Sequence, residues 1–193
     1  MRKFCLLLAL LSLLFQQAVS QPCPPKGDSH SQRTQQLDIR KNRTTTPASF
    51  DNTITLDKIL SPGKDLNRFS NDAGAKIEGY IISVIPEGGE SCNCHSNDSA
   101  DYDYHIYLSQ SQNIIKHRNC IVVEITPKSR TLHPEWTEVF LNGLIGKKVS
   151  VGGWMLYDFK HKANSLRDNP NGTKVWRNTC WEVHPVTSIN VVP

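Results

Sequence analysis

The order of strand-like and helical runs constrains this 193-residue chain more than any other feature. Three runs rich in β-branched and aromatic residues come first, one run with helical spacing follows, and two more strand-like runs close the chain. The predicted strands are Ala75–Ile85, Asp103–Leu108, Asn119–Thr126, Lys148–Tyr157 and a last strand from Thr179 to Val192 that Pro185 interrupts. The run with helical spacing lies between Pro134 and Gly146.

Three strands, one helix and two strands is the order of the OB-fold, an all-β five-stranded barrel with one short helix (β-β-β-α-β-β). The Gly152-Gly153 pair supports this prediction, because glycines inside a strand mark the bulge or bend that lets a small barrel close. OB-folds bind ligands on the face of strands 2 and 3, between the loops that join strands 1–2 and 4–5. Unrelated activities share this fold, so it predicts a place for the ligand and not its identity.

The N-terminal part of the chain predicts export. In residues 1–20, Arg2 and Lys3 precede an apolar stretch, and Ala18 and Ser20 occupy the −3 and −1 positions of a cleavage site. No segment approaches the roughly 20 apolar residues of a membrane-spanning helix, so the protein is expected to be secreted or periplasmic. Residues 21–49 contain few large aliphatic side chains and are predicted to be a flexible polar leader, with the barrel domain over residues 50–193.

Charge and cysteine content narrow the class of protein further. Without residues 1–20 the net charge is about +2, which does not by itself indicate a nucleic-acid partner. Strands 3 and 5 of an OB-fold lie side by side, so equal offsets from their starts place Cys120 beside Cys180. A disulfide between these two residues is therefore predicted for an oxidising compartment.

The run Cys92-Asn93-Cys94-His95 lies in the long loop between strands 1 and 2. Thiolates and an imidazole at this density suit zinc or copper, but the spacing differs from the Cys-x-x-Cys of structural zinc sites. A disulfide in this loop is favoured instead. It joins Cys92 or Cys94 to Cys23, or it joins Cys92 to Cys94. The sequence leaves this pairing open.

A group of polar residues shares the outward face of strands 2, 3 and 5. The candidate metal ligands are His105, Glu124, Glu182 and His184. Two imidazoles and two carboxylates match the donors of a divalent metal such as zinc, and an open coordination position would permit hydrolysis. The simpler interpretation is a Glu124–His184 ion pair on a solvated sheet face.

The loop between strands 4 and 5 combines cations with aromatic side chains. The candidate ligand-binding residues there are Tyr157, Lys160, His161, Lys162, Trp176 and Arg177. This combination suits single-stranded nucleic acid or another anionic polymer. The alternative is a solvated loop whose aromatic side chains pack on the barrel.

Three segments carry a resemblance to other proteins: "DYHIYL", "GWMLYDFKHKAN" and the ending "CWEVHPVTSINVV". Together they resemble an uncharacterised group of secreted bacterial OB-like domains that end in a Trp-Glu-Ile/Val-His-Pro-Val-Thr strand. The resemblance covers about the C-terminal two-thirds of the chain. It implies an exported OB-like fold and carries over no activity, cofactor or catalytic residue.

These observations favour a non-enzymatic, exported binding module for an oligosaccharide, a nucleic acid or a protein, with contacts from residues 87–100 and 158–178. One alternative is a metal-dependent hydrolase, acting on phosphodiesters through the four candidate ligands. Another is a structural envelope protein. The sequence contains no phosphate-binding loop, dinucleotide fingerprint, Gly-x-Ser-x-Gly or His-Glu-x-x-His motif, which favours the binding module. The oligomeric state stays open.

Overall fold

A computed structural model describes residues 23–193 of the chain. The predicted signal peptide, residues 1–20, lies outside the described residues. Within residues 23–193, no helix combines the length and the apolar character that crossing a membrane requires.

Five strands form a closed barrel in the neighbour order β1-β2-β3-β5-β4. They are β1 Gly74–Glu87, β2 Asp103–Ser109, β3 Ile121–Ile125, β4 Lys148–Tyr157 and β5 Trp181–Val191. Strands β3 and β5 run parallel, and the other neighbouring pairs run antiparallel. This mostly β architecture confirms the predicted OB-like barrel.

Alternating side chains of the strands fill the barrel. On β3, Ile121, Val123 and Ile125 belong to the main apolar core, and each such buried side chain contributes about 1.5–3 kcal/mol. The register of β4 against β5 shifts on both sides of Gly153, which confirms the predicted bulge. A Cβ atom at Gly153 would lie 2.4 Å from the carbonyl oxygen of Pro185, so the close strand approach requires glycine there.

Four α-helices accompany the barrel in the described residues. They are α1 Gln32–Lys41, α2 Leu56–Leu60, α3 Pro127–Leu132 and α4 Glu138–Asn142. The helix predicted between Pro134 and Gly146 is too long, because only α4 lies in that range. Thr137 caps α4 by accepting a hydrogen bond from the Phe140 N–H at 3.1 Å. Pro127, directly after the predicted strand Asn119–Thr126, stands at the first turn of α3.

The prediction of a flexible leader over residues 21–49 is wrong for its described part. Helix α1 begins after Ser31, whose hydroxyl accepts a hydrogen bond from the Thr34 N–H. The helix buries Leu37 and Lys41, and a disulfide from Cys23 to Cys94 ties the preceding residues to the β1–β2 loop. A covalent bond and buried ion pairs therefore hold a segment whose apolar content alone would not order it.

Candidate functional site

The structure brings together the four residues predicted as metal ligands. The Nε2 atom of His105 on β2 lies 3.2 Å from Oε1 of Glu124 on β3. The Nδ1 atom of His184 on β5 lies 2.8 Å from Oε2 of Glu124 and 3.2 Å from Oε2 of Glu182. All four residues are at most 2 % exposed. The expected Glu124–His184 pair is present, but the expectation that it lies on a solvated face is wrong, because both side chains are buried.

Strand register explains this convergence. Val122 lies opposite Glu182 in the parallel β3–β5 pair, so Glu124 two residues later comes level with His184. The antiparallel β2–β3 pair places His105 directly opposite Glu124. Alternation turns these polar side chains away from the barrel core, where Val123 and Val183 pack.

Two buried cations flank the four residues. The Lys41 ammonium nitrogen lies 2.6 Å from Oε2 of Glu90 and 2.8 Å from Oδ2 of Asp158. A guanidinium nitrogen of Arg177 lies 2.6 Å from Oε1 of Glu182. We use the name buried ion cluster for the following nine residues: Lys41, Glu90, Asp103, His105, Glu124, Asp158, Arg177, Glu182 and His184.

Asp103 belongs to the cluster through its position at the start of β2. One potential ligand atom each from Asp103, Glu124 and His184 lies within 4.8 Å of the other two. The Nδ2 amide of Asn93 donates a hydrogen bond to Oδ1 of Asp103 at 3.1 Å. Asp103 was not among the predicted ligands, although strand alternation places it on the same face of β2 as His105.

Burial and charge act in opposite directions on the imidazoles. Burial favours their neutral forms, but the Glu124 carboxylate outweighs burial and raises the pKa of His105 to about 9 and that of His184 to about 10. The two imidazolium groups in turn hold the pKa of Glu124 well below its usual range, against the effect of burial. Burial raises the pKa of Asp103 to about 6, although His184 acts in the other direction.

Several polar atoms of the cluster have no hydrogen-bond partner in the protein. Among the described residues, the Glu124 oxygens have as their close contacts only the two imidazole nitrogens, at 3.2 and 2.8 Å. His184 hydrogen-bonds through Nδ1 to Glu182, and its Nε2 atom has no protein partner. Leaving such an atom buried costs about 1–3 kcal/mol, so the arrangement calls for a physical explanation.

The chain itself covers the face on which OB-folds bind their ligands. Helix α1 contributes Lys41, the β1–β2 loop contributes Glu90, and the β4–β5 loop contributes Asp158 and Arg177. The Trp176 ring stacks over the His105 ring, with centroids 6.5 Å apart. These segments cover the cluster in this conformation.

The predicted ligand-binding residues of the β4–β5 loop fall into different environments. Lys160 and Lys162 are exposed, as expected of surface cations, and Trp176 and His161 are partly buried beside the cluster. Arg177 is fully buried, so the expectation of an exposed cation there is wrong. Its partner Glu182 explains this placement, because an arginine side chain is buried when it is paired.

The predicted Cys120–Cys180 disulfide is also wrong. Both residues are free, buried thiols, and the observed disulfide joins Cys23 and Cys94. Cys120 packs with Val122 on the outer side of the sheet, whereas Cys180 packs in the barrel core. Cys180 precedes the first residue of β5, so the strand alternation on which the prediction rested does not extend to it.

A groove of about 330 Å³ opens beside helix α1. Its aromatic lining residues are Phe69, Tyr157, Phe159 and Trp181, and its polar lining residues are Arg33, Gln36, Arg40, Asn67 and Asn71. Among the described residues no carboxylate lines it. Of the predicted ligand-binding residues only Tyr157 lines this groove. Arg33 and Arg40 were not predicted, because they lie in the segment that was expected to be flexible. Their spacing of three and four residues around Gln36 is the helical signal that was overlooked.

No protein-family model matches the chain, and no curated protein matches it significantly. The buried ion cluster and the groove are therefore the basis for assigning a function.

Proposed function

We propose that the protein is an exported binding module that takes an acidic oligosaccharide in the groove beside helix α1. The observation that carries this proposal is the lining of the groove, where aromatic rings, side-chain amides and two guanidinium groups face one space of about 330 Å³. Pockets of this size and composition are the usual form of small-ligand sites. The Cys23–Cys94 disulfide supports export, because disulfides persist in oxidising compartments.

The aromatic lining favours a ligand with a ring and an apolar face. Sugar rings present such a face through their C–H groups, beside hydroxyl groups that require hydrogen bonds. Phe69 meets Trp181 edge to face at a centroid distance of 5.3 Å, which fixes the Phe69 ring before a ligand arrives. Because this part of the groove lining is already ordered, less conformational entropy is lost when a ligand binds.

The polar lining favours a negative charge on that ligand. The Arg33 guanidinium lies 3.9 Å over the Phe159 ring, and Arg40 has only a 3.9 Å contact with Asp72. Within residues 23–193 neither guanidinium has a closer carboxylate partner. A guanidinium can bind the carboxylate of a ligand in bidentate geometry, through two parallel hydrogen bonds. The Asn71 Oδ1 atom accepts a hydrogen bond from the Tyr157 N–H at 2.7 Å, which orients the amide beside the groove.

A long nucleic acid is less well supported as the ligand. Phosphate contacts were expected from Lys160, Lys162 and Arg177. Arg177 is buried against Glu182, so only the two exposed lysines could make them. The groove volume suits one or two sugar rings. An acidic disaccharide is therefore the probe of choice.

Calorimetry with digalacturonic acid tests the proposal, with its methyl ester as the neutral counterpart. We expect the acid to bind at least about 10-fold more tightly than the ester, a difference of about 1.4 kcal/mol. The Arg33→Gln/Arg40→Gln double variant should lose this preference. Arg118→Gln is the matched control, because Arg118 lies in a different, more open depression. Equal affinity for acid and ester, or an unchanged double variant, contradicts the proposal.

A further inference from the structure

We infer that the buried ion cluster binds one divalent transition-metal ion of the zinc class, with Asp103, Glu124 and His184 as its ligands. The three side chains are at most 1 % exposed, and their potential ligand atoms lie within 4.8 Å of one another. One imidazole nitrogen and two carboxylate oxygens are donors that zinc and related ions prefer. Metal–ligand bonds of about 2.0–2.2 Å would draw these atoms closer together around the ion.

The charge balance of the cluster leaves room for such an ion. Its five carboxylates, from Glu90, Asp103, Glu124, Asp158 and Glu182, face two permanent cations, Lys41 and Arg177. Neutral imidazoles therefore leave three negative charges unbalanced in a buried environment, which is strongly unfavourable. One divalent cation bound among these side chains would reduce the excess by two charges.

The permanent cations are engaged at the flanks of the cluster. Lys41 pairs with Glu90 and Asp158, and Arg177 pairs with Glu182. Glu124, in contrast, makes its close contacts with the two imidazoles. The hydrogen bond that Asp103 accepts from Asn93 comes from a neutral amide. The two carboxylates without a directly paired permanent cation are the two that we assign as ligands.

An unpartnered atom provides an independent observation for the same assignment. The Nε2 atom of the fully buried His184 has no hydrogen-bond partner in the part of the chain that the structure describes. The Nδ1 atom of His184 hydrogen-bonds to Glu182, which Arg177 holds from the other side. Histidines that bind a metal through one nitrogen usually donate the other N–H to a carboxylate in this way. Glu182 is accordingly a positioning residue.

The inference is independent of the proposed oligosaccharide site, because no assigned ligand lines the groove. The metal assignment and the proposed oligosaccharide site can therefore be disproved separately. Loss of metal binding leaves the calorimetry with digalacturonic acid unaffected as a test of the groove.

Zinc titration of the full chain after treatment with a chelator tests the inference. We expect one zinc ion per chain. Glu124→Gln and His184→Gln should each weaken binding at least about 100-fold. His95→Gln is the matched control, because His95 is exposed and pairs with Asp28 on the surface. Absence of stoichiometric zinc, or unchanged binding by both variants, overturns the assignment.

X-ray absorption of the zinc-loaded wild-type chain decides the question even where a variant does not fold. The assigned ligands predict a coordination shell of nitrogen and oxygen only. A sulfur neighbour overturns the assignment, since it would place the ion at Cys92, beside Glu90 and Asp103, or at Cys180, beside Asp65 and Asp168. Asp103→Asn retains the shape of the side chain and should lower the zinc affinity about 10- to 100-fold.

Discussion

The Lys41 ammonium nitrogen lies 2.8 Å from Oδ2 of Asp158, and both side chains are at most 1 % exposed. This contact joins helix α1 to the beginning of the β4–β5 loop. The second contact of Lys41, to Glu90, adds the β1–β2 loop. One lysine thus fastens three separate chain segments over the outer face of the barrel.

We predict that Lys41→Met lowers the free energy of unfolding by about 3–5 kcal/mol. The reason is that the substitution leaves two carboxylates without their cation in a buried environment. Urea unfolding measures the change. The exposed Lys64 provides the control, and Lys64→Met should stay within about 0.5 kcal/mol of wild type. A loss below about 1 kcal/mol for Lys41→Met would show that the ion pair does not hold the segment.

The same contact predicts a loss of stability in acid. Burial favours the neutral form of Asp158, but the Lys41 ammonium outweighs burial and holds the pKa of Asp158 below its usual range. The balance is the same for Glu90. Unfolded carboxylates titrate near pH 4, so this stabilisation is present above about pH 4 and is lost as the pH falls through the lower folded-state values.

The free energy of unfolding should therefore fall more steeply between pH 6 and pH 2 for wild type than for Asp158→Asn. The asparagine retains an oxygen that can accept the hydrogen bond from the Lys160 N–H. Asp72→Asn, which changes an exposed aspartate, is the control. Parallel profiles for wild type and Asp158→Asn would contradict the prediction.

Cys92, Cys120 and Cys180, the three free thiols within residues 23–193, should be unreactive in the native protein. Burial raises the pKa of Cys120 to about 11, and it raises the pKa of Cys92 and Cys180 above the usual range as well. At pH 8 the thiolate fraction is therefore very small, and access is restricted. Iodoacetamide followed by mass spectrometry should find no modification before unfolding and three modified residues after it. Rapid alkylation of the native chain at Cys120 would disprove this.

Removal of the Cys23–Cys94 disulfide should destabilise the protein by about 4 kcal/mol. The bond closes a long loop, with a sequence separation of 71, and such a loop restricts the unfolded chain strongly. Denaturant unfolding of the Cys23→Ser/Cys94→Ser variant measures the effect. Reduction of the wild type should give a loss of similar size. If the double variant is as stable as wild type, the disulfide contributes nothing to holding α1.

The convergence of side chains on the outer face of the barrel was predictable, because the register of two paired strands determines which residues lie opposite each other along their whole length. Alternation on β2, β3 and β5, together with the parallel β3–β5 pair of an OB-fold, was sufficient to bring His105, Glu124 and His184 together. The burial of that face was not predictable in the same way. It depends on segments that lie outside the strands.

Helix α1 illustrates why. Ser31 and the helical spacing of Arg33, Gln36 and Arg40 are local signals for a helix, but they do not say against which surface it packs. Lys41 and a disulfide hold this segment. Its low content of apolar residues therefore led to the wrong prediction that it is flexible. Arg177 was misplaced for a related reason, since an arginine without a known partner is expected at the surface.

The parallel pairing of β3 with β5 also determines when the molecule can fold during its synthesis. Lys41 precedes the first strand of the barrel, whereas His184 lies on β5, the last strand along the described chain. A nascent chain that has not yet left the ribosome up to β5 lacks two partners of the cluster and one wall of the barrel. Closure of this face consequently has to wait for the synthesis of β5.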